Sequence, residues 1–169
     1  MMQLVFASNN PHKIREVRSI LGPGFSVSGL ADIGCTEDIP EPFLTLEENA
    51  LAKARHVYNN YGLDCFSDDS GLEVEALGGL PGVLSARFAG PGKTSTDNLE
   101  KLLGMMQGQQ NRRARFRAVM ALVVGGSTLN FCRILSLIIF HPFPSERSSR
   151  TNNLTSVLNR FIADPPSRR

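Results

Sequence analysis

The run Leu4-Val5-Phe6-Ala7-Ser8-Asn9-Asn10-Pro11-His12-Lys13-Ile14-Arg15-Glu16-Val17 passes from a continuous apolar segment, through three small polar residues, to a proline. Leu4 to Ala7 is short and apolar throughout, as a strand buried on both faces is. Ser8-Asn9-Asn10 supplies turn residues, and Asn10 is placed to cap a helix whose first position is Pro11, where the missing N–H costs nothing. Ile14, Val17, Ile20 and Leu21 then recur at helical spacing until Gly22-Pro23-Gly24 stops the helix. A buried strand feeding a capped helix begins an alternation of strands and helices.

The pattern repeats down the chain. Phe25 to Leu30 reads as a second strand, followed by an acidic loop from Glu37 to Glu41 broken by Pro40 and Pro42. Leu46, Ala50, Ala54, Val57, Tyr58 and Tyr61 form the apolar stripe of a longer helix that ends at Gly62. Cys65 to Ser67 is expected as a strand ending at Asp68-Asp69-Ser70-Gly71, with a separate extended segment over Leu72 to Leu77. A glycine loop follows at Gly78-Gly79-Leu80-Pro81-Gly82. Thr96 or Asp97 is expected to cap a helix carrying Leu99, Leu102, Leu103 and Met106, and Phe116 to Val124 is rich in strand formers. The expected class is therefore α/β.

Composition narrows the setting. The 169 residues are 41% hydrophobic and 20% charged with a net charge of +2, which suits one soluble domain and makes no case for nucleic acid or membrane as partner. Cys35, Cys65 and Cys132 are odd in number and widely spaced, against a disulfide framework or a Cys-x-x-Cys zinc site. With no signal peptide or membrane span legible, the expected location is the cytoplasm.

Three constellations carry chemistry. Ser8-Asn9-Asn10-Pro11-His12-Lys13, between strand and helix, offers helix-start amides, side-chain donors and a lysine to a phosphate, without a Walker sequence. An ordinary capped helix with a solvated lysine fits the same spacing. Asp68-Asp69 places two carboxylates side by side at a strand end, an arrangement that a cation such as Mg²⁺ relieves. An aspartate-rich bend is the alternative. Glu41 and the helical pair Asn49 and Lys53, four apart on one face, offer a further acid and a phosphate-reaching lysine. Equally, Glu48 and Asn49 decorate a solvated helix surface. The basic run Arg112-Arg113-Ala114-Arg115-Phe116-Arg117 is read as one solvated face of a strand, and His12, His56 and His141 lack metal-ligand spacing.

Taken in order, four blocks resemble the inosine triphosphate pyrophosphatase family, also called Ham1-like or dITP/XTP pyrophosphatases. They are Ala7 to Glu16, Glu48 to Ala54, Ser67-Asp68-Asp69-Ser70-Gly71-Leu72, and Leu77-Gly78-Gly79-Leu80-Pro81-Gly82-Val83-Leu84-Ser85-Ala86-Arg87-Phe88. The resemblance covers roughly residues 3 to 130. It implies a twisted mixed β-sheet with flanking helices and two lobes around a nucleotide cleft. It also implies Mg²⁺-dependent hydrolysis of non-standard purine nucleoside triphosphates (ITP, dITP, XTP) to monophosphate and pyrophosphate, commonly by a homodimer. On that likeness the Ser8-Asn9-Asn10-Pro11-His12-Lys13 segment, Lys53 and Ser70 contact substrate. Asp69 is general base and metal ligand, with Glu41 and Asp68 as supporting metal acids.

The likeness stops near Phe131. Family members continue with a Gly-Phe-Gly-aromatic-Asp-Pro loop and a Ser-His-Arg triplet, which stack on the base and read its 6-oxo group; neither block is present. Residues 132–169 carry only Glu146 and Asp164 as acids and are loaded with serine, arginine and proline. That abrupt change reads as the product of a frameshift. The expected organisation is an incomplete pyrophosphatase domain over residues 1–131 and an aberrant, partly disordered tail over 132–169, with one weak amphipathic helix at Leu154 to Phe161. A catalytically impaired nucleotide-binding remnant of the same family is the alternative function.

Overall fold

A computed structural model of the chain describes residues 1–92 and 94–139. The helix expected at Leu154 to Phe161 and the rest of the tail beyond Ile139, with His141, lie outside the described residues. The elements run β1 (Met2–Phe6), α1 (Pro11–Leu21), β2 (Phe25–Ser28), α2 (Leu46–Tyr61), β3 (Cys65–Val74), β4 (Pro81–Gly82), α3 (Ser95–Met105), β5 (Arg113–Val124) and β6 (Ser127–Ile139). One-turn 3₁₀ segments occur at Ala31–Ile33, Glu75–Leu77 and Ser85–Arg87.

The strands form one mixed sheet in the order β2-β1-β3-β5-β6, with β4 paired to β3. β1 is parallel to both β2 and β3, in register Leu4↔Val27 and Phe6↔Phe66, and β3 is antiparallel to β4. β5 and β6 are joined by Gly125-Gly126, both at positive φ, the pair that a tight two-residue hairpin turn of primed type demands. β6 runs through the expected boundary at Cys132 to Ile139.

The described chain divides into two compact units. One comprises Met1–Asp69 with Ala118–Arg133, the other Ser70–Arg117 with the end of β6 from Ile134. In the first, Leu4, Phe6, Val27 and Phe66 are buried under Ile14, Val17 and Leu21 of α1, with Leu122 and Val124. The Phe6 and Phe66 rings stack with centroids 4.7 Å apart. Ile20, expected on the apolar stripe of α1, is instead 73% exposed, because at about 100° per residue it stands at the edge of the arc that Ile14, Val17 and Leu21 share. The second unit has its own core: Leu72, Val74, Phe88, Leu99, Leu102, Met106, Ala114 and Phe116.

Three local expectations are corrected. α3 is capped by Thr94, not Thr96 or Asp97; Asp97 instead closes a capping box by accepting from the Thr94 backbone N–H at 2.7 Å. Asp68 to Gly71 is neither a bend nor a strand end, because β3 is one ten-residue strand through to Val74. Gly71 lies inside it because the backbone of β4 comes too close for a side chain. A Cβ there would sit 2.1 Å from the Gly82 carbonyl oxygen. Asn49 is not a solvated helix decoration but fully buried.

Candidate functional site

Pairing along β3 sets the chemistry of its twin aspartates. Successive strand residues face opposite sides of a sheet. Phe66 faces the α1 core, whereas Cys65 and Ser67 face α2, donating hydrogen bonds to the carbonyls of Ala54 and Ala50. Continuing that alternation, Asp68 belongs to the α1 side and Asp69 to the α2 side. Each finds a lysine there. Lys13 Nζ lies 2.6 Å from Asp68 Oδ2, and Lys53 Nζ lies 3.8 Å from Asp69 Oδ1. The repulsion between adjacent carboxylates is thus relieved by the pleat and by two ammonium groups, one per face.

β1 ends at Phe6, opposite Phe66, so β3 extends past the last pairing of its neighbour. The two aspartates therefore stand just beyond the C-terminal end of β1, where the Ser8–Asn10 loop turns into α1. Ligands in open α/β sheets bind at such strand ends.

Glu41 completes the α2 side. Its Oε1 is 2.6 Å from Lys53 Nζ, so that one ammonium is held between carboxylates from a loop and from a strand. Lys53 is only 13% exposed and Asp69 14%, so the Coulomb attraction is screened less than at an open surface. Asn49 positions the loop. Its Oδ1 accepts from the Phe43 N–H at 2.9 Å and its Nδ2 donates to the Phe43 carbonyl at 3.1 Å, as a neighbouring strand would. Asn49 and Lys53 are one turn apart on α2, so the clip and the ammonium act on the same few residues. Thr45 caps α2 through the Glu48 N–H and donates to the Glu48 carboxylate at 2.7 Å, which accounts for Glu48.

The Ser8–Lys13 segment is built as a turn. Ser8 Oγ accepts from the Asn10 N–H, and Asn10 Oδ1 accepts from the N–H groups of His12 and Lys13. The helix-start amides expected to face an anion are therefore capped by Asn10, and the cationic group at this entrance is the Lys13 ammonium. Asn9 and Pro11 are exposed. The His12 ring, also exposed, meets Arg15 at 2.8 Å. Ser70, half-buried, follows Asp69 as the first residue of the second unit.

The carboxylates of Asp68, Asp69 and Glu41 do not close into a three-ligand cluster. Asp69 and Glu41, converging on a single cation, are the pair suited to a hard divalent ion, which accepts one or two carboxylates alongside water and phosphate. Their donor chemistry fits Mg²⁺; Asp68 sits across the pleat, bound to Lys13.

In the second unit the basic run is engaged within the fold. Arg115 Nε and Arg117 Nε lie 2.6 and 2.7 Å from the two oxygens of Glu73, and Arg112 donates to the Met106 carbonyl. Burial pushes the Glu73 carboxyl up, but the two guanidinium groups outweigh it and hold it below the usual glutamate value. No helix among the described residues is long and apolar enough to cross a membrane.

Known proteins share the sequence and fold of this chain. The Ham1 family model matches residues 4–135. The chain is 53% identical over 121 residues to a dITP/XTP pyrophosphatase of Flavobacterium psychrophilum, covering 72% of this chain and 64% of the relative. It is 43% identical over 129 residues to a dITP/XTP pyrophosphatase of Bacillus subtilis, covering 75% and 65%. The chain thus spans about two-thirds of the length of these curated relatives. Among solved structures, the Staphylococcus aureus Ham1 protein superposes with a TM-score of 0.72 at 37% identity, covering 77% of this chain and 68% of that one. A HAM1 protein from Coxiella burnetii gives 0.75 at 32%, covering 79% and 71%.

Proposed function

The chain belongs to the Ham1 family, and on that premise we propose that it is a nucleoside triphosphate pyrophosphatase. Its substrates are non-standard purine nucleoside triphosphates such as ITP, dITP and XTP, cleaved to the monophosphate and pyrophosphate. The observation that carries the reading is a pair of lysine–carboxylate groups at consecutive positions of one strand: Lys53 with Asp69 and Glu41 on one face, Lys13 with Asp68 on the other.

In this mechanism Lys13 and Lys53 exchange their carboxylate partners for phosphate oxygens, so that substrate inherits two cations already held in place. Ser8, Asn9, Asn10, Pro11 and His12 shape the turn that presents Lys13, and Ser70 contacts substrate beside Asp69. Asp69 accepts the proton of the water that attacks the α-phosphorus, and pyrophosphate departs. Mg²⁺ would be held by Asp69 and Glu41, where it would supply positive charge to the phosphate oxygens, while Asp68, across the pleat, acts through Lys13. Residues 1–131 form the catalytic portion, a reading that the family match over 4–135 supports. We place the protein in the cytoplasm as a homodimer.

The test is pyrophosphate release from ITP, XTP, ATP and UTP in the presence of Mg²⁺, with Asp69→Asn as control. ITP or XTP turnover well above that control is expected. Release no greater than the control from any substrate refutes the enzyme and leaves the impaired remnant; faster release from UTP refutes the purine assignment.

A further inference from the structure

A second cluster of ligating side chains lies on the first unit, away from the twin aspartates. Cys35 Sγ, a Glu37 carboxylate oxygen and a His56 ring nitrogen all lie within 4.8 Å of one another. They are the only such trio of cysteine, histidine and acidic groups among the described residues. Sequence spacing hides it. Cys35 and Glu37 flank one residue just after the 3₁₀ turn Ala31–Ile33, whereas His56 comes from the middle of α2.

We propose that Cys35, Glu37 and His56 bind a divalent transition cation of the zinc class. This proposal stands independently of the reaction assigned above. The donor set is one thiolate, one imidazole and one carboxylate, which selects a borderline-soft ion and disfavours Mg²⁺, whose ligands are all oxygen. Three protein ligands with a fourth position left to water is a usual zinc arrangement. Zinc–ligand lengths of about 2.0–2.3 Å on a tetrahedron place neighbouring donor atoms roughly 3.4–3.6 Å apart. His56 Nε2 and Glu37 Oε1 stand 2.9 Å apart, and the trio spans at most 4.8 Å, so shifts of well under the length of a side chain bring all three to that spacing.

The surroundings suit an ion. Cys35 is buried at 1% exposure, so its sulfur forms the floor of the cluster, while the half-exposed His56 and the exposed Glu37 leave a path for entry. The Cys35 thiol donates to the Glu37 carbonyl oxygen at 4.0 Å, which keeps the sulfur turned toward the residue that supplies the carboxylate.

Position gives the ion a consequence. Glu37 precedes Glu41 by four residues in the acidic loop, and His56 follows Lys53 by three on α2. A cation bridging Glu37 and His56 ties that loop to that helix, beside the place where Glu41 meets Lys53.

The experiment is a Co²⁺ titration of the reduced full-length chain with Mg²⁺ in large excess, followed by the near-ultraviolet thiolate-to-cobalt charge-transfer band. One equivalent is expected to raise the band, and Zn²⁺ is expected to quench it. Cys35→Ser is expected to abolish it, His56→Gln and Glu37→Gln to weaken binding at least tenfold, and Asp69→Asn, Cys65→Ser and Cys132→Ser to leave it intact. No band, or a band that survives Cys35→Ser, overturns the proposal. Should Cys35→Ser fail to fold by circular dichroism, the two milder variants decide: unchanged Co²⁺ affinity in both overturns it. A rise in melting temperature with Zn²⁺, absent in His56→Gln, is the second readout.

Discussion

Replacing Asn49 by alanine removes the clip that holds the acidic loop on α2. Two hydrogen bonds to Phe43 are lost, at 2.9 and 3.1 Å, and at a net worth of roughly 0.5–1.5 kcal/mol each they total about 1–3 kcal/mol. Phe43 is itself 43% exposed, so water rescues part of its backbone in the opened loop and the lower half of that range applies. At 1.4 kcal/mol per factor of ten, about 1–2 kcal/mol corresponds to a roughly 5- to 30-fold increase in local opening. Hydrogen exchange at the Phe43 amide measures it directly, since that N–H donates to the side chain being removed. The amide of Val57, in the interior of α2, serves as internal reference. Asn49→Asp is expected not to restore protection, because an oxygen then faces the Phe43 carbonyl where an N–H stood. If Phe43 exchanges at the parental rate in Asn49→Ala while Val57 is unchanged, the clip contributes nothing and Glu41 is positioned by something else.

Three further outcomes follow from other parts of the fold. Glu73, held below its usual value of 4.5 by Arg115 and Arg117, stabilises the native state fully above that pH, where both states are ionised, and loses the contribution as pH falls further toward its folded value; Glu73→Gln is expected to lower the melting temperature at neutral pH and to flatten its acid-side decline. A parallel decline in both proteins would show that this carboxylate is not responsible. The Cys65 thiol, pushed up to about 11 chiefly by burial, is expected to resist a disulfide reagent in the native protein near pH 8 and to react on unfolding, which quantitative thiol titration distinguishes. Gly71→Ala drives a methyl into the Gly82 carbonyl at 2.1 Å, so a loss of roughly 1–3 kcal/mol or more is expected in denaturant melts, and a neutral result would mean that β4 is free to move away.

Ser67, Asp68 and Asp69 mark the limit of local reading. Two adjacent carboxylates that call for a positive partner were legible in the sequence, but the expectation of a strand end missed that β3 continues to Val74. Glycine in the middle reads as a break when only the chain is in view. It is tolerated, and needed, because β4 approaches from elsewhere. The pleat then separates the two carboxylates onto different faces, which adjacency in sequence conceals. The alternative that set Asn49 on a solvated helix surface fails for a similar reason. A polar residue in a helix is buried when a distant backbone supplies both its partners, and Phe43 does so.

By itself the sequence determined the alternation of strands and helices, because apolar period, caps and glycine stops act within a few residues of one another. Asn10 and Pro11 start α1, and Gly62 ends α2, as their local chemistry requires. It also determined which side chains have reactive chemistry. Tertiary structure alone decided which of them meet: Lys13 with Asp68, Lys53 with Asp69 and Glu41, and Cys35 with Glu37 and His56. Those meetings depend on the sheet order and on which face each strand residue takes, and both are settled by burial of the whole core rather than by neighbours in the chain.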